Sequence, residues 1–308
     1  EMCIRDRAII EEKDASTSQK EITEVNSGIM AFKAKDLIRL LGKIRNNNKA
    51  KEFYLTDAVY EAHLEKLNIQ SLRLSDADEV LGCNTPEELQ VLEKAYHIST
   101  AKKFLNKGVS FADIEKVKFR GNVSIEKGAY IDENVIFEGD VSIGANAKIG
   151  PGCIVFNSSI GKNVELLAYS YVEESMLESN AKAGPFAHIG VQTKMEEGAE
   201  IGNFVETKRS NIGANSKAKH LAYIGDGRIG KGVNIGAGTI FCNYDGVKKH
   251  ITKIEDDAFI GSNSALVAPL TIGANSYVGS GSVVTKNVGK GQLAIGRGRQ
   301  KNMPNRKK

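Results

Sequence analysis

Tryptophan is absent from this 308-residue chain, and aromatic residues make up only 6% of it. A thick core filled by large rings is therefore excluded, and the interior must be narrow and aliphatic. Cysteine is also scarce. Cys3, Cys83, Cys153 and Cys242 lie far apart without CxxC spacing, which argues against a disulfide framework or a four-thiolate zinc site. No apolar run reaches the length of a secretory leader or a membrane span. An excess of one charge is missing too: 42 Lys and Arg against 38 Asp and Glu leave +4. That is too mild to indicate a nucleic-acid surface, although the chain is basic from Arg297 onward. The expected setting is a reducing cytoplasm, with no nucleic-acid and no membrane partner.

Glycine is what the chain has in quantity, 31 residues, and it recurs in step. From Ile125 to Thr285 a six-residue unit repeats, an aliphatic residue usually followed by Gly. It reads IEKGAY from Ile125, IDENVI from Ile131, FEGDVS from Phe137, IGANAK from Ile143, IGKGVN from Ile229 and IGANSY from Ile272. Such a unit is too short to bury its own apolar face and must stack on its neighbours. With every sixth residue pointing inward, three flat sides of about six residues make one coil of about 18, and the coils pair as parallel strands. The Gly after each aliphatic residue suits a corner that needs positive φ or close backbone approach. The expected fold is mainly β, a left-handed parallel β-helix over 121–290, the hand resting partly on the similarity of the repeat to hexapeptide-repeat acyltransferases.

The pattern changes outside those bounds. Residues 1–98 read as an incomplete α/β piece, with a strand over 21–32, a helix from Ala34 and a helix from Thr85 to about His97. Thr85 followed by Pro86 and Glu88 is a helix-start signal. Residues 99–120 form a connection, and 291–308 a basic tail. The first piece has no glycine-rich strand-to-helix turn for a nucleotide phosphate and too few strands for a doubly wound sheet.

Several stretches carry more than the repeat does. They are IIEEKDASTSQKEITEVNSGI from Ile9, NNNKAKEFYLTD from Asn46, GPFAHI from Gly184, GNFVETK from Gly202, KAKHLAYIGD from Lys217, VNIGAGTIFCNYDG from Val233 and IGSNSALVAP from Ile260. Together they resemble the bifunctional N-acetylglucosamine-1-phosphate uridyltransferase/glucosamine-1-phosphate N-acetyltransferase family, from about Ile9 to Arg297. The resemblance implies a fragment beginning inside the uridyltransferase domain, whose glycine-rich nucleotide loop and Asp metal ligand would lie upstream. It assigns Glu11 and Asn26 to UDP-sugar contacts and Asn84 to both the sugar nucleotide and Mg²⁺. A lone Asn cannot hold Mg²⁺, so uridyl transfer is expected of the parent and not of this chain.

Acetyl transfer is the activity the resemblance implies here. It needs a base for the amine, donors for a tetrahedral oxyanion and anchors for the sugar phosphate and acetyl-CoA. A lone His is by itself a surface or packing residue, but His220 matches the family's base, and its frame puts Ala218 and Ala222 in the inward slots. Glu206, counted into the same slot as Tyr223 one coil earlier, matches the residue that orients the base. The resemblance assigns Lys208, Tyr223 and Asn234 to the sugar phosphate. To acetyl-CoA it assigns Ala237, Asn243, Tyr244, Ser262, Ser280 and Arg297, Ser280 standing where Ala is typical.

Asn243 and Tyr244 fall where the hexad breaks, so they must loop out of the prism. Gly190 departs from the family, which typically has Arg there. A raised KM for glucosamine 1-phosphate is expected, unless Lys194 or Arg209 substitutes. A homotrimer with sites between neighbouring prisms is the implied assembly. Two other classes remain: a non-catalytic trimeric scaffold, and a zinc-dependent carbonic anhydrase-like prism using His188 and His220.

Overall fold

The computed structural model describes residues 7–74 and 77–303; Cys3 and residues 304–308 of the basic tail lie outside the described residues. The chain divides into two compact units, Glu1–Leu92 and Glu93–Lys308.

Three parallel sheets of eleven, ten and nine strands form the second unit. They are the faces of a left-handed parallel β-helix of about ten turns. Face 1 runs from Ser110–Phe111 to Leu293–Ala294, face 2 from Lys118–Arg120 to Val283–Val284, and face 3 from Val123–Ile125 to Leu270–Ile272. Ile125 sits opposite Ile143, and Ile143 opposite Ile160, so a coil takes 18 or 17 residues. The hexad's aliphatic residues form buried columns such as Ile131, Ile149, Leu166, Ala183 and Ile201. Beta-branched side chains suit these columns because each packs flat on the residue one coil away.

The glycines after the aliphatic residues serve close approach. A Cβ at Gly236 would lie 2.5 Å from the backbone nitrogen of Ser262. Positive φ falls two residues further on, at Asn146, Asn163 and Asn180, whose side chains form a hydrogen-bonded ladder from coil to coil. Asn adopts the left-handed region more readily than most residues and can bond locally there.

The strands begin earlier than the hexad, at Ser110. Above them lies the second half of helix α3 (Pro86–Leu105), with His97, Ala101 and Phe104 buried. Phe104, Phe111 and Phe137 pack around Phe119 with ring centroids 5.7, 6.4 and 5.8 Å away, and His97 Nδ1 accepts the Phe119 N–H at 3.1 Å. A stacked prism needs its end covered. That burial explains why α3 continues to Leu105 when its sequence signals suggested a stop near His97. Its start is as expected. Glu88 N–H donates to Thr85 Oγ1 at 3.2 Å, and the Glu88 carboxylate accepts from the N–H groups of Asn84 and Thr85 at 2.6 and 3.2 Å.

The first unit contains α1 (Ala34–Leu41) and α2 (Asp57–Leu64) around Leu40, Ala58 and Ala62. The strand expected over 21–32 does not form. That stretch is extended and largely exposed, Val25 at 84%. A strand is stabilised by a neighbouring strand that satisfies its backbone groups, and the described residues of this unit contain none.

Candidate active site

His220 ends the strand Lys217–His220 on face 1, at the corner leading to face 2. Ala218 and Ala222 point into the core at 1% and 4% exposure, and the imidazole between them is exposed. Its backbone partner one coil earlier is Asn203, and His220 Nδ1 lies 2.7 Å from Asn203 Oδ1. A carboxamide oxygen only accepts, so the Nδ1 facing it carries the proton. Nε2 is then the lone-pair nitrogen. This is the tautomer a general base requires.

The corner below His220 is continuous. The Gly238 N–H donates to the His220 carbonyl at 3.4 Å, Asn263 N–H to Ala237 at 2.7 Å and Gly281 N–H to Ser262 at 2.8 Å, while Arg297 Nη1 donates to the Ser280 carbonyl at 2.6 Å. Ala237, Ser262, Ser280 and Arg297 therefore form one column headed by His220. Four coil steps of roughly 4.8 Å make it about 19 Å long. The column thus runs from an exposed imidazole at His220 to an exposed guanidinium at Arg297.

Around the corner, face 2 presents Glu206 and Lys208 with Thr207 buried between them. Glu206 pairs with Tyr223, as frame counting predicted, and Lys208 pairs with Gly225. Lys208 makes no ion pair among the described residues. Glu206 has His188 and Tyr223 as its strand neighbours, and the ring partner of His220 within the chain is Asn203. Sequence reasoning missed Asn203, although its place 17 residues before His220 could have exposed it. Asn234 stands on face 1 opposite Lys217 and Phe259, so the proposed sugar-phosphate residues straddle the corner.

Asn243 and Tyr244 lie elsewhere, past the strand Ile240–Cys242 at the corner between faces 2 and 3. They open the loop that breaks the hexad, which returns at Thr252. The loop is tightly self-bonded. Tyr244 and Lys249 form an antiparallel bridge, Asp245 Oδ1 accepts the N–H groups of Val247 and Lys248 at 2.7 and 2.6 Å, and Asp245 Oδ2 meets His250 Nε2 at 2.6 Å. These contacts, the Lys248 N–H first, hold the Asp245 carboxyl well below the usual carboxylate range. One surface groove, about 980 Å³, is an open trough from Tyr96 past Asp140 and Glu174 to Lys194. It touches none of these residues.

Two known family models match stretches of the chain: the GMPPB C-terminal domain over residues 119–189, and the bacterial transferase hexapeptide (six repeats) over residues 251–286. Far more of the chain, 96%, is similar to the bifunctional protein GlmU of Marinobacter nauticus at 41% identity and to that of Pseudoalteromonas atlantica at 44%. The chain is similar to GlmU over nearly all of its own length. It spans 65% of the length of those curated GlmU relatives. Among solved structures, Francisella novicida UDP-N-acetylglucosamine acyltransferase is 17% identical, with a TM-score of 0.42, over 58% of this chain and 64% of that one.

GlmU resemblance also assigns residues in the first unit. Glu11 Oε1 accepts from Thr56 Oγ1 at 3.1 Å, Asn84 joins the cap of α3 through its N–H, and Asn26 is exposed. No hydrogen bond joins the three. No cluster of three or more His, Cys, Asp or Glu suited to a metal occurs among the described residues. Asn84 alone does not fit Mg²⁺.

Gly190, the departure from the GlmU pattern, lies in the same outward column of face 2 as Glu173 and Lys208, where a Cβ would meet the Thr207 carbonyl at 2.6 Å. Neither expected substitute is a free cation. Lys194 pairs with Glu178 at 2.7 Å on face 3, and Arg209 is held by Asp226. His188 sits with Nε2 3.9 Å from Glu173, on face 2 and away from the corner position of His220.

Proposed function

We propose that this chain transfers the acetyl group of acetyl-CoA to the amine of glucosamine 1-phosphate, giving N-acetylglucosamine 1-phosphate for UDP-N-acetylglucosamine synthesis. The observation that carries the reading is the pairing of His220 with Asn203 at the head of the column ending in Arg297. His220 Nε2 takes a proton from the substrate ammonium, and the freed amine attacks the thioester carbonyl. The tetrahedral intermediate loses the second proton of its nitrogen to solvent and expels the CoA thiolate, which the imidazolium protonates. Asn203 Oδ1 holds the ring throughout and accepts from Nδ1–H in both charge states. Glu206 adds negative charge beside the corner, Lys208, Tyr223 and Asn234 hold the sugar phosphate, and Ala237, Ser262, Ser280 and Arg297 hold acetyl-CoA.

Asn243 and Tyr244 belong to the same acetyl-CoA set yet stand at the other edge of face 2. This division supports a homotrimer in which one copy supplies the His220 corner and its neighbour the loop. The cytoplasm is the proposed location. No described helix is long and apolar enough to cross a membrane.

Purified chain given glucosamine 1-phosphate and acetyl-CoA should release free thiol, with His220→Ala as the control. No release above that control would favour the scaffold reading. The KM for glucosamine 1-phosphate should lie above that of a relative carrying Arg at the position of Gly190, and equal values would remove any penalty for Gly190.

A further inference from the structure

At the far edge of face 2, three polar side chains from successive coils are locked together. Arg209 donates through Nε to Asp226 Oδ1 at 2.7 Å and through Nη2 to Oδ2 at 2.9 Å. Asn243 Nδ2 donates to the same Oδ2 at 2.5 Å, and Asn243 is only 6% exposed. The Arg209 contact first, and then the Asn243 amide, hold the Asp226 carboxyl below its ordinary range against the opposing effect of burial. The Asp226 backbone is equally constrained. Its φ is +52°, its N–H donates to the Lys208 carbonyl at 2.9 Å, and its carbonyl accepts the Thr252 N–H at 3.3 Å.

Asp226 thus touches the loop where it leaves the prism, at Asn243, and where it returns, at Thr252. The His250 N–H closes the loop onto the Asn243 carbonyl at 2.7 Å. Residue 225 beside it has no side chain, and the point a Cβ would occupy there lies 2.5 Å from both Asn243 Nδ2 and Tyr223 Oη. The phenol and the amide therefore converge over Gly225.

A carboxylate beside a carboxamide selects one of its two orientations, since the flipped amide would turn oxygen toward oxygen. We infer that Asp226, clamped by Arg209, is a positioning residue for acetyl transfer: it fixes the Asn243 amide so that Oδ1 is left to accept from the ligand, and it pins both ends of the 243–251 loop. This rests on the acetyl-transfer reading, because the loop has a ligand to meet only if that reading holds.

The test is a double-mutant cycle of Asp226→Asn and Asn243→Ala, with steady-state kinetics for both substrates and backbone hydrogen exchange over 243–250. Acting through Asn243, Asp226→Asn should lower kcat/KM about tenfold and add less than about twofold in the Asn243→Ala background. Exchange over 243–250 should rise at least about tenfold, while 265–284 is unchanged. An Asp226→Asn enzyme within twofold of the parent, or effects that multiply in the double variant, would overturn the inference. If the parent chain transfers no acetyl group, the acetyl-transfer reading falls and exchange decides: unchanged protection refutes the pinning, and lost protection upholds it. Should Asp226→Asn fail to fold by circular dichroism, Arg209→Lys keeps the charge and loses the fork. Its coupling to Asn243→Ala then decides the matter: shared effects uphold the inference, and multiplied effects overturn it.

Discussion

The two units bury their apolar side chains in different ways. The prism threads one continuous core from Ala101 to Val288, so each coil is stabilised by the coils above and below it. The first unit gathers Leu40, Ala58 and Ala62 with partly buried Phe32, Ile44, Leu67 and Ile69, and leaves Val25, Ile29, Ile38, Phe53 and Leu72 at 70% exposure or more. Stability in the prism is collective, whereas in the first unit it depends on a few contacts. The residues proposed for acetyl transfer all lie in the prism, so its chemistry should be insulated from events in the first unit.

The largest expected effect tests where the chemistry is. His220→Ala should reduce acetyl transfer by about 10²–10⁴-fold, the usual value of a positioned base, with no change in thermal midpoint because the ring is exposed. A fall in midpoint would turn His220 into a structural residue and break the contrast. Next, Phe137→Ala removes a fully buried ring from the aromatic plug and should cost about 3–5 kcal/mol, read by denaturant unfolding of the prism. Leu40→Ala should cost about 2–5 kcal/mol in the first unit, with hydrogen exchange rising there and acetyl transfer kept within about twofold. Lost transfer in that variant would show that the units are not insulated.

The smallest effect is a pH dependence. Burial pushes the His97 imidazole below its ordinary pKa, with Lys118 contributing, and its Nδ1 must be unprotonated to accept the Phe119 N–H. The unfolded state therefore binds the proton more tightly. Stability is complete above the unfolded value of about 6.5 and is lost as pH falls through the window beneath it. Melting between pH 7.5 and 5.5 should show the decline, and His97→Gln should flatten it.

Much of this was readable in the chain. The hexad anticipated the inward columns, the inward slots of Ala218 and Ala222 around His220, the pairing of Glu206 with Tyr223 and the loop at Asn243, because a repeat maps position directly onto direction. The strand expected over 21–32 misled, since a segment forms a strand only where a neighbouring strand exists to receive it. The extent of α3 was hidden as well. The reason it continues lies in the prism end covered by His97, Ala101 and Phe104, which no local signal encodes.

By itself, then, the sequence determined the prism, its period and which residues face outward, because six-residue spacing and side-chain volume act locally and repeat. Tertiary structure decided the partnerships: Asn203 beside His220, Arg209 and Asn243 on Asp226, and the column from Ala237 to Arg297 set apart from the Asn243 loop. These contacts join residues a whole coil apart or more, and which atoms meet there depends on corner geometry and on the carboxylate that selects an amide orientation.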